Sequence, residues 1–141
     1  MSTIKVDTYL TRGGASEIAI DKLKGVTAAG SMLVVAEGGT NTTNLQQGLA
    51  KAWTNVNMPS ASINDSYNVG SITDNSAGNF TVTFSSSMAN ANYSNAGSTI
   101  AGYIGGHASL ATGSFILRNG DSNWSAVDQD TACVTTSGDL A

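Results

Sequence analysis

The amino-acid sequence predicts an all-β protein, because short runs of alternating apolar and polar residues recur and turn-forming residues separate them. The clearest case is segment 66–93. Residues 80–84 read Phe-Thr-Val-Thr-Phe, which places one apolar row on one face of a strand. Residues 67–69 alternate in the same way, and the intervening stretch 74–79 is rich in residues that tolerate turns. The segment therefore predicts a β-hairpin with one face in water.

Composition supports a folded chain with few charges. Serine, threonine, asparagine and glycine account for 63 of the 141 residues, and only 11% of residues are charged. The net charge is −4, and residues 52–141 carry six acidic side chains against the single base Arg118. We expect no nucleic-acid partner, because phosphate binding needs a basic surface. We also expect no membrane span, because no run approaches about 20 apolar residues.

The first 40 residues are predicted to form an extended anchoring arm. Residues 4–10 and 17–21 alternate between apolar and polar side chains, as short strands do. Residues 31–36 form a continuous apolar run between glycines, which predicts a strand buried on both faces. In a small particle protein, one of those faces is expected to meet a neighbouring subunit.

Residues 41–59 are predicted to be a short helix followed by a spacer. Thr42 or Thr43 is the expected N-cap of a helix over 41–53, and Gly48 is its weakest position. Two alternatives remain for its apolar stripe: it packs on the chain's own sheet, or three copies bundle around an axis. The stripe, at helical spacing, consists of Leu45, Leu49, Ala52 and Trp53.

Residues 60–141 are predicted to form the β-rich body. The strand at 114–118 is followed by Asn119-Gly120, a strong turn signal, and residues 132–135 form another strand. Strands at short, regular spacing favour an antiparallel sandwich or a jelly-roll-like fold.

Part of the chain resembles a module found in virion structural proteins of tailed bacteriophages, especially tail-fibre and related proteins of marine phages. The resemblance runs through residues 51–93, roughly a third of the chain. It departs from the family's pattern at 54–60, where a glycine-rich linker is expected. The matching strings are Lys51-Ala52-Trp53, Ser66 to Asn75, Gly78 to Phe84, and Met88 to Tyr93.

The residues that could carry chemistry do not form a recognisable catalytic pattern. His107 is the only histidine and Cys133 the only cysteine, and each lies in an ordinary structural context. A catalytic thiol needs a lowered pKa, which no neighbour of Cys133 in sequence provides. Residues 121–123 and 128–130 offer oxygen ligands but continue into no calcium-binding loop. We therefore predict no enzyme activity, no cofactor and no metal.

The resemblance implies a structural subunit of a virion, of fibre or fibre-tip type, assembled in the host cytoplasm and forming a homotrimer. The arm would contact other virion proteins, and loops of the body would contact a host surface glycan or protein. One alternative is a head-decoration or cement protein, and another is a free carbohydrate-binding or carbohydrate-cleaving domain. The residues predicted to mediate assembly are Leu33, Val35, Leu45, Leu49 and Trp53, and those predicted at the contact surface are Tyr93, Tyr103 and Trp124.

Overall fold

The structure, a computed structural model, describes residues 32–37, 39–100 and 103–141. The predicted strands at 4–10 and 17–21, and most of the predicted arm, lie outside these residues. A two-stranded antiparallel ribbon comes first, made of β1 (Leu33–Val35) and β2 (Thr42–Asn44), and a one-turn helix α1 (Leu45–Gly48) follows it directly.

Eight further strands form the body as two four-stranded antiparallel sheets. Sheet I has the strand order β4-β3-β10-β7, and sheet II has the order β5-β6-β9-β8. The strands are β3 (Ala52–Asn57), β4 (Ser62–Tyr67), β5 (Val69–Ser76), β6 (Asn79–Phe84), β7 (Ser94–Thr99), β8 (Tyr103–Ala111), β9 (Ser114–Gly120) and β10 (Ala132–Ser137). The all-β class and the antiparallel sandwich predicted from the sequence are confirmed.

The two sheets enclose one hydrophobic core. Along β6 and β9, every second side chain is buried, as the alternating sequence requires. Sheet II contributes large side chains, and sheet I faces them with smaller ones, so the two layers fit closely. The buried apolar residues are Phe80, Val82, Phe84, Phe115 and Leu117 from sheet II, Ala52, Val56, Ala132 and Val134 from sheet I, and Met58, Met88 and Tyr93 from the connections.

The predicted hairpin is present as β5 and β6. Ser76 pairs with Asn79, so only Ala77 and Gly78 form the connection. Gly78 has a φ of 65°, a conformation that glycine adopts at no steric cost. The buried row Phe80, Val82 and Phe84 faces the core as expected, while most of β5 is exposed.

Tyr67 and Val69, however, do not share one strand, and the prediction is wrong on this point. Asn68 between them has a φ of 55° and carries the chain from sheet I to sheet II. Its side-chain amide donates to the carbonyl oxygens of Lys51 and Ser86 at 3.0 and 3.1 Å, which fixes the corner. Tyr67 therefore ends β4 in an exposed position, and Val69 packs against the core.

The predicted helix over 41–53 is confirmed only as the single turn α1. Its N-cap is Asn44, whose Oδ1 accepts a hydrogen bond from Gln47 N at 3.0 Å, and not Thr42 or Thr43. Leu49 is already extended. From Ala52 onward buried and exposed residues alternate, because β3 pairs with both β4 and β10. The predicted spacer thus contains a central strand of sheet I.

The predicted turn at Asn119-Gly120 is also wrong, because both residues belong to β9 and are buried. Asn119 N donates to Gly78 O at 2.8 Å, and its side-chain amide donates to Val127 O at 2.9 Å. β9 therefore continues through Asn119 and Gly120, where a turn was expected. The chain turns later, at Asp121, whose Oδ1 accepts hydrogen bonds from two following backbone amides.

Candidate functional site

The ribbon exposes three consecutive large apolar side chains. Leu33 is 56% exposed and Val35 61% exposed, and Val34 on the opposite face is exposed as well. The prediction that this strand is buried on both faces is wrong for the described part of the chain, where the ribbon has two strands and no layer that covers them. It is joined to the helix by the hydrogen bond from Leu45 N to Met32 O, at 2.8 Å.

The remaining residues predicted to mediate assembly do not form a helical stripe. Leu45 is half-buried in α1, and Leu49 is exposed after the helix ends. Trp53 lies in β3 and points away from the core, since its neighbours Ala52 and Thr54 are the buried residues of that strand. Whether any of them contacts another subunit stays a prediction.

The structure describes the side chains of two of the three residues predicted at the contact surface. For one of them, Tyr93, the prediction is wrong. Tyr93 is buried, and its hydroxyl lies 3.0 Å from Ala111 O and 2.9 Å from Ser114 O. Burial raises the pKa of Tyr93. Trp124 is exposed in the loop after β9. Tyr103 begins β8, and its side chain lies outside the described residues.

A groove of about 610 Å³ opens between the helix, the end of β4 and the C-terminal segment. Its volume lies within the range typical of small-molecule sites. One part of its lining is apolar and aromatic, and the other carries amide and carboxylate groups. The groove is lined by Asn44, Gln46, Gln47, Leu49, Ala50, Lys51, Tyr67, Ala89, Asp139 and Leu140.

The walls of this groove are joined by hydrogen bonds between distant parts of the chain. The Gln47 side-chain amide donates to Asp139 Oδ1, which links the helix to the C-terminal segment. Ala89 N donates to Asp139 O at 2.8 Å, and Lys51 N donates to Thr136 O, also at 2.8 Å. The lining therefore exists before any ligand arrives, which reduces the entropy cost of binding.

Lys51 supports the groove and does not present its charge to it. The residue is buried, and its Nζ donates to the carbonyl oxygens of Gln46 and of Leu49, the latter at 3.1 Å. A buried ammonium needs such partners, because an unsatisfied one is costly. These bonds fold the segment between the helix and β3 back over the lysine side chain.

Tyr67 and Trp53 place two aromatic rings side by side at the edge of the groove. The two residues are direct partners in the pairing of β3 with β4, so their side chains lie on the same face of sheet I. Tyr67 is 53% exposed and Trp53 is 37% exposed. Sequence reasoning missed Tyr67 and Asp139 as site residues, because 72 positions separate them and only the fold brings them together.

His107 lies in β8 and Cys133 in β10. The His107 ring packs edge-on against Phe115 with centroids 5.6 Å apart, and its buried Nε2 has no hydrogen-bond partner among the described residues. Burial lowers the pKa of His107. Cys133 lies half-buried in β10, paired with Asn55 on one side and Ser98 on the other.

Across the part of the chain that the structure describes, no three histidine, cysteine or acidic side chains are grouped as a metal site would need. Within the same residues, no helix has the length and apolar character to cross a membrane. Comparison with known proteins found no family model, no curated protein and no solved structure that matches the chain.

Proposed function

We propose that the chain is a non-enzymatic structural subunit of a tailed-phage particle, of fibre or fibre-tip type, and that it forms a homotrimer. The observation that carries the proposal is the apolar ribbon, whose side chains Leu33, Val34 and Val35 are exposed and are covered by no other strand among residues 32–37, 39–100 and 103–141. Exposed contiguous apolar surface of this kind is typical of protein interfaces. The number three comes from the resemblance to fibre-type virion proteins.

The position of the resembling segment supports the same proposal. Residues 51–93 comprise β3 to β6, which are two hairpins in opposite sheets joined at the Asn68 corner. The resemblance therefore covers one coherent half of the sandwich, including much of its core. A virion module that folds as one unit would have this form.

The low charge of the body also supports a structural role. The strand surfaces carry mainly serine, threonine and asparagine, and only 11% of the chain is charged. Open sheet edges with few charges are prone to pair with other chains. In an assembly, the neighbouring copies would cover such edges and the ribbon together.

The experiment is to locate the protein on particles from its source culture. Purified particles are separated on a density gradient, and the chain is quantified by mass spectrometry against the major capsid protein. We expect the chain to band with intact particles at a few tens of copies or fewer, and antibody labelling to mark the tail. Hundreds of copies on the head would instead identify a cement protein, and absence from the particle band would overturn the proposal.

A further inference from the structure

We infer that the groove beside Tyr67 is a binding site for a neutral saccharide. This inference goes beyond the structural role and does not depend on it, because the groove belongs to the single chain. Saccharides have hydroxyl groups on their edges and apolar C–H groups on their ring faces. A site for them must therefore offer polar groups and an exposed aromatic ring together.

The groove offers both kinds of surface. The Tyr67 ring and the side chains of Leu49 and Leu140 provide the apolar part. Gln46, Gln47 and Asp139 provide the polar part, and all three are exposed. A carboxamide can donate and accept at once, and a carboxylate that already accepts one bond has further lone pairs available, so adjacent hydroxyls can be paired.

The charges of the groove lining disfavour an anionic saccharide. Asp139 is acidic, and the chain as a whole has a net charge of −4. The one cation in the lining, Lys51, is buried and donates to two backbone carbonyls. An anionic ligand such as a uronate or a phosphate would thus meet the carboxylate of Asp139, with no available cation in the groove lining to pair with it.

Trp53 extends the apolar part beyond the groove. It lies directly across from Tyr67 on the neighbouring strand, on the same outer face of sheet I. Two adjacent rings offer stacking surface to two successive sugar units, which a single ring does not. We therefore expect an oligosaccharide to bind more tightly than the corresponding monosaccharide.

The test is calorimetric titration of the full chain with neutral gluco-, galacto-, manno- and N-acetylglucosamine oligosaccharides of four to six units. Hexagalacturonate serves as the charged comparison. We expect at least one neutral oligosaccharide to bind and hexagalacturonate not to bind. Binding of none of the neutral series, or tighter binding of hexagalacturonate, would overturn the inference.

Variants then assign the binding to the groove. Tyr67→Ala should weaken binding about 10-fold or more, since lost stacking of about 1.4 kcal/mol corresponds to that factor. Tyr67→Phe keeps the ring and should bind within about twofold of the parent. Leu110→Ala, at an exposed leucine of β8 in sheet II and outside the groove lining, is the control and should leave binding unchanged.

Substitutions at exposed polar residues of the lining give a second test, which remains informative even if the Tyr67→Ala variant does not fold. Gln47→Ala and Asp139→Ala each remove one polar group of the lining and should each weaken binding severalfold, with unchanged circular dichroism. Wild-type affinity in both would contradict the assignment. A chain that binds no saccharide could still be located on the particle. The titration therefore tests the groove, and the particle experiment tests the structural role, independently of each other.

Discussion

The sandwich and the ribbon place the same residue type in opposite environments. Val56, Val82 and Val134 are buried between the two sheets, whereas Val34 and Val35 of the ribbon are exposed. All five lie in β-strands, so strand formation by itself does not determine burial. What differs is the second layer: sheet I covers sheet II, and nothing in the described single chain covers the ribbon.

The difference has an energetic consequence. Burying a valine or leucine side chain is worth about 1.5–3 kcal/mol, and the sandwich gains this within one chain. No other element of the described residues buries the ribbon, so we expect it to gain this free energy from another molecule. We therefore expect core substitutions to affect unfolding, and ribbon substitutions to affect association while leaving the fold of the single chain intact.

The largest expected effect is at the centre of the core. Phe115→Ala should lower the free energy of unfolding by about 3–5 kcal/mol, because it leaves a cavity between the sheets. The matched ribbon variant Val34→Ala should change it by less than about 0.5 kcal/mol. Urea titration of both variants measures this contrast, and equal losses would mean that the ribbon is part of the same cooperative core.

A smaller but specific loss is expected at the β5–β6 turn. Gly78 has a positive φ, and a Cβ there would lie 2.3 Å from Asn119 O and 2.7 Å from Val127 N. Gly78→Ala should therefore cost about 2–4 kcal/mol through strain and overpacking against backbone.

Gly113, in the connection between β8 and β9, is the control for that turn, because a Cβ there would meet nothing within 4 Å. Gly113→Ala should change the free energy of unfolding by less than about 1 kcal/mol. Similar melting temperatures for the two variants would show that the contact of Gly78 with the end of β9 is not maintained in solution.

Acidification should cause a smaller loss of folding stability, and this loss arises in the sandwich, where His107 lies. The pKa of His107 is lowered in the folded chain from the ordinary value of 6.5 because the ring is desolvated. As the pH falls below about 6.5, the unfolded chain takes up a proton that the folded chain does not, so stability decreases until the folded pKa is reached.

His107 is the only histidine, so a single substitution tests this dependence. His107→Leu should flatten the change in the free energy of unfolding between pH 7 and pH 5.5, as measured by urea titration at each pH. An unchanged slope in the variant would assign the pH dependence to another group.

The sandwich was predictable from sequence because its signal is local. The alternation at residues 80–84 sets the buried row of β6, and Gly78 marks the turn before it. The errors arose where distant partners decide the outcome. Trp53 fits a helical spacing with Leu49, but pairing of β3 with β4 and β10 makes it a strand residue. Asn119 resembles a turn residue until its bonds to Gly78 and Val127 are known.

The groove was not predictable, because its lining comes from four separate stretches of the chain. Tyr67 was recognised only as part of the hairpin, and the corner at Asn68 is what leaves its ring exposed. The role of Lys51 depends on two backbone carbonyls, which no sequence pattern encodes. Tyr93 differs from Tyr67 in the opposite direction, because it was expected at the surface and is buried in the core.

The mass of the native assembly tests the role of the ribbon most directly. Native mass spectrometry of the full chain should give the mass of three chains, and the double variant Leu33→Ser, Val35→Ser should give the mass of one chain with unchanged circular dichroism. Leu110→Ser, at an exposed leucine of β8, is the matched control and should remain trimeric. A wild-type chain that is monomeric at micromolar concentration, or a double variant that stays trimeric, would contradict trimer formation through the ribbon.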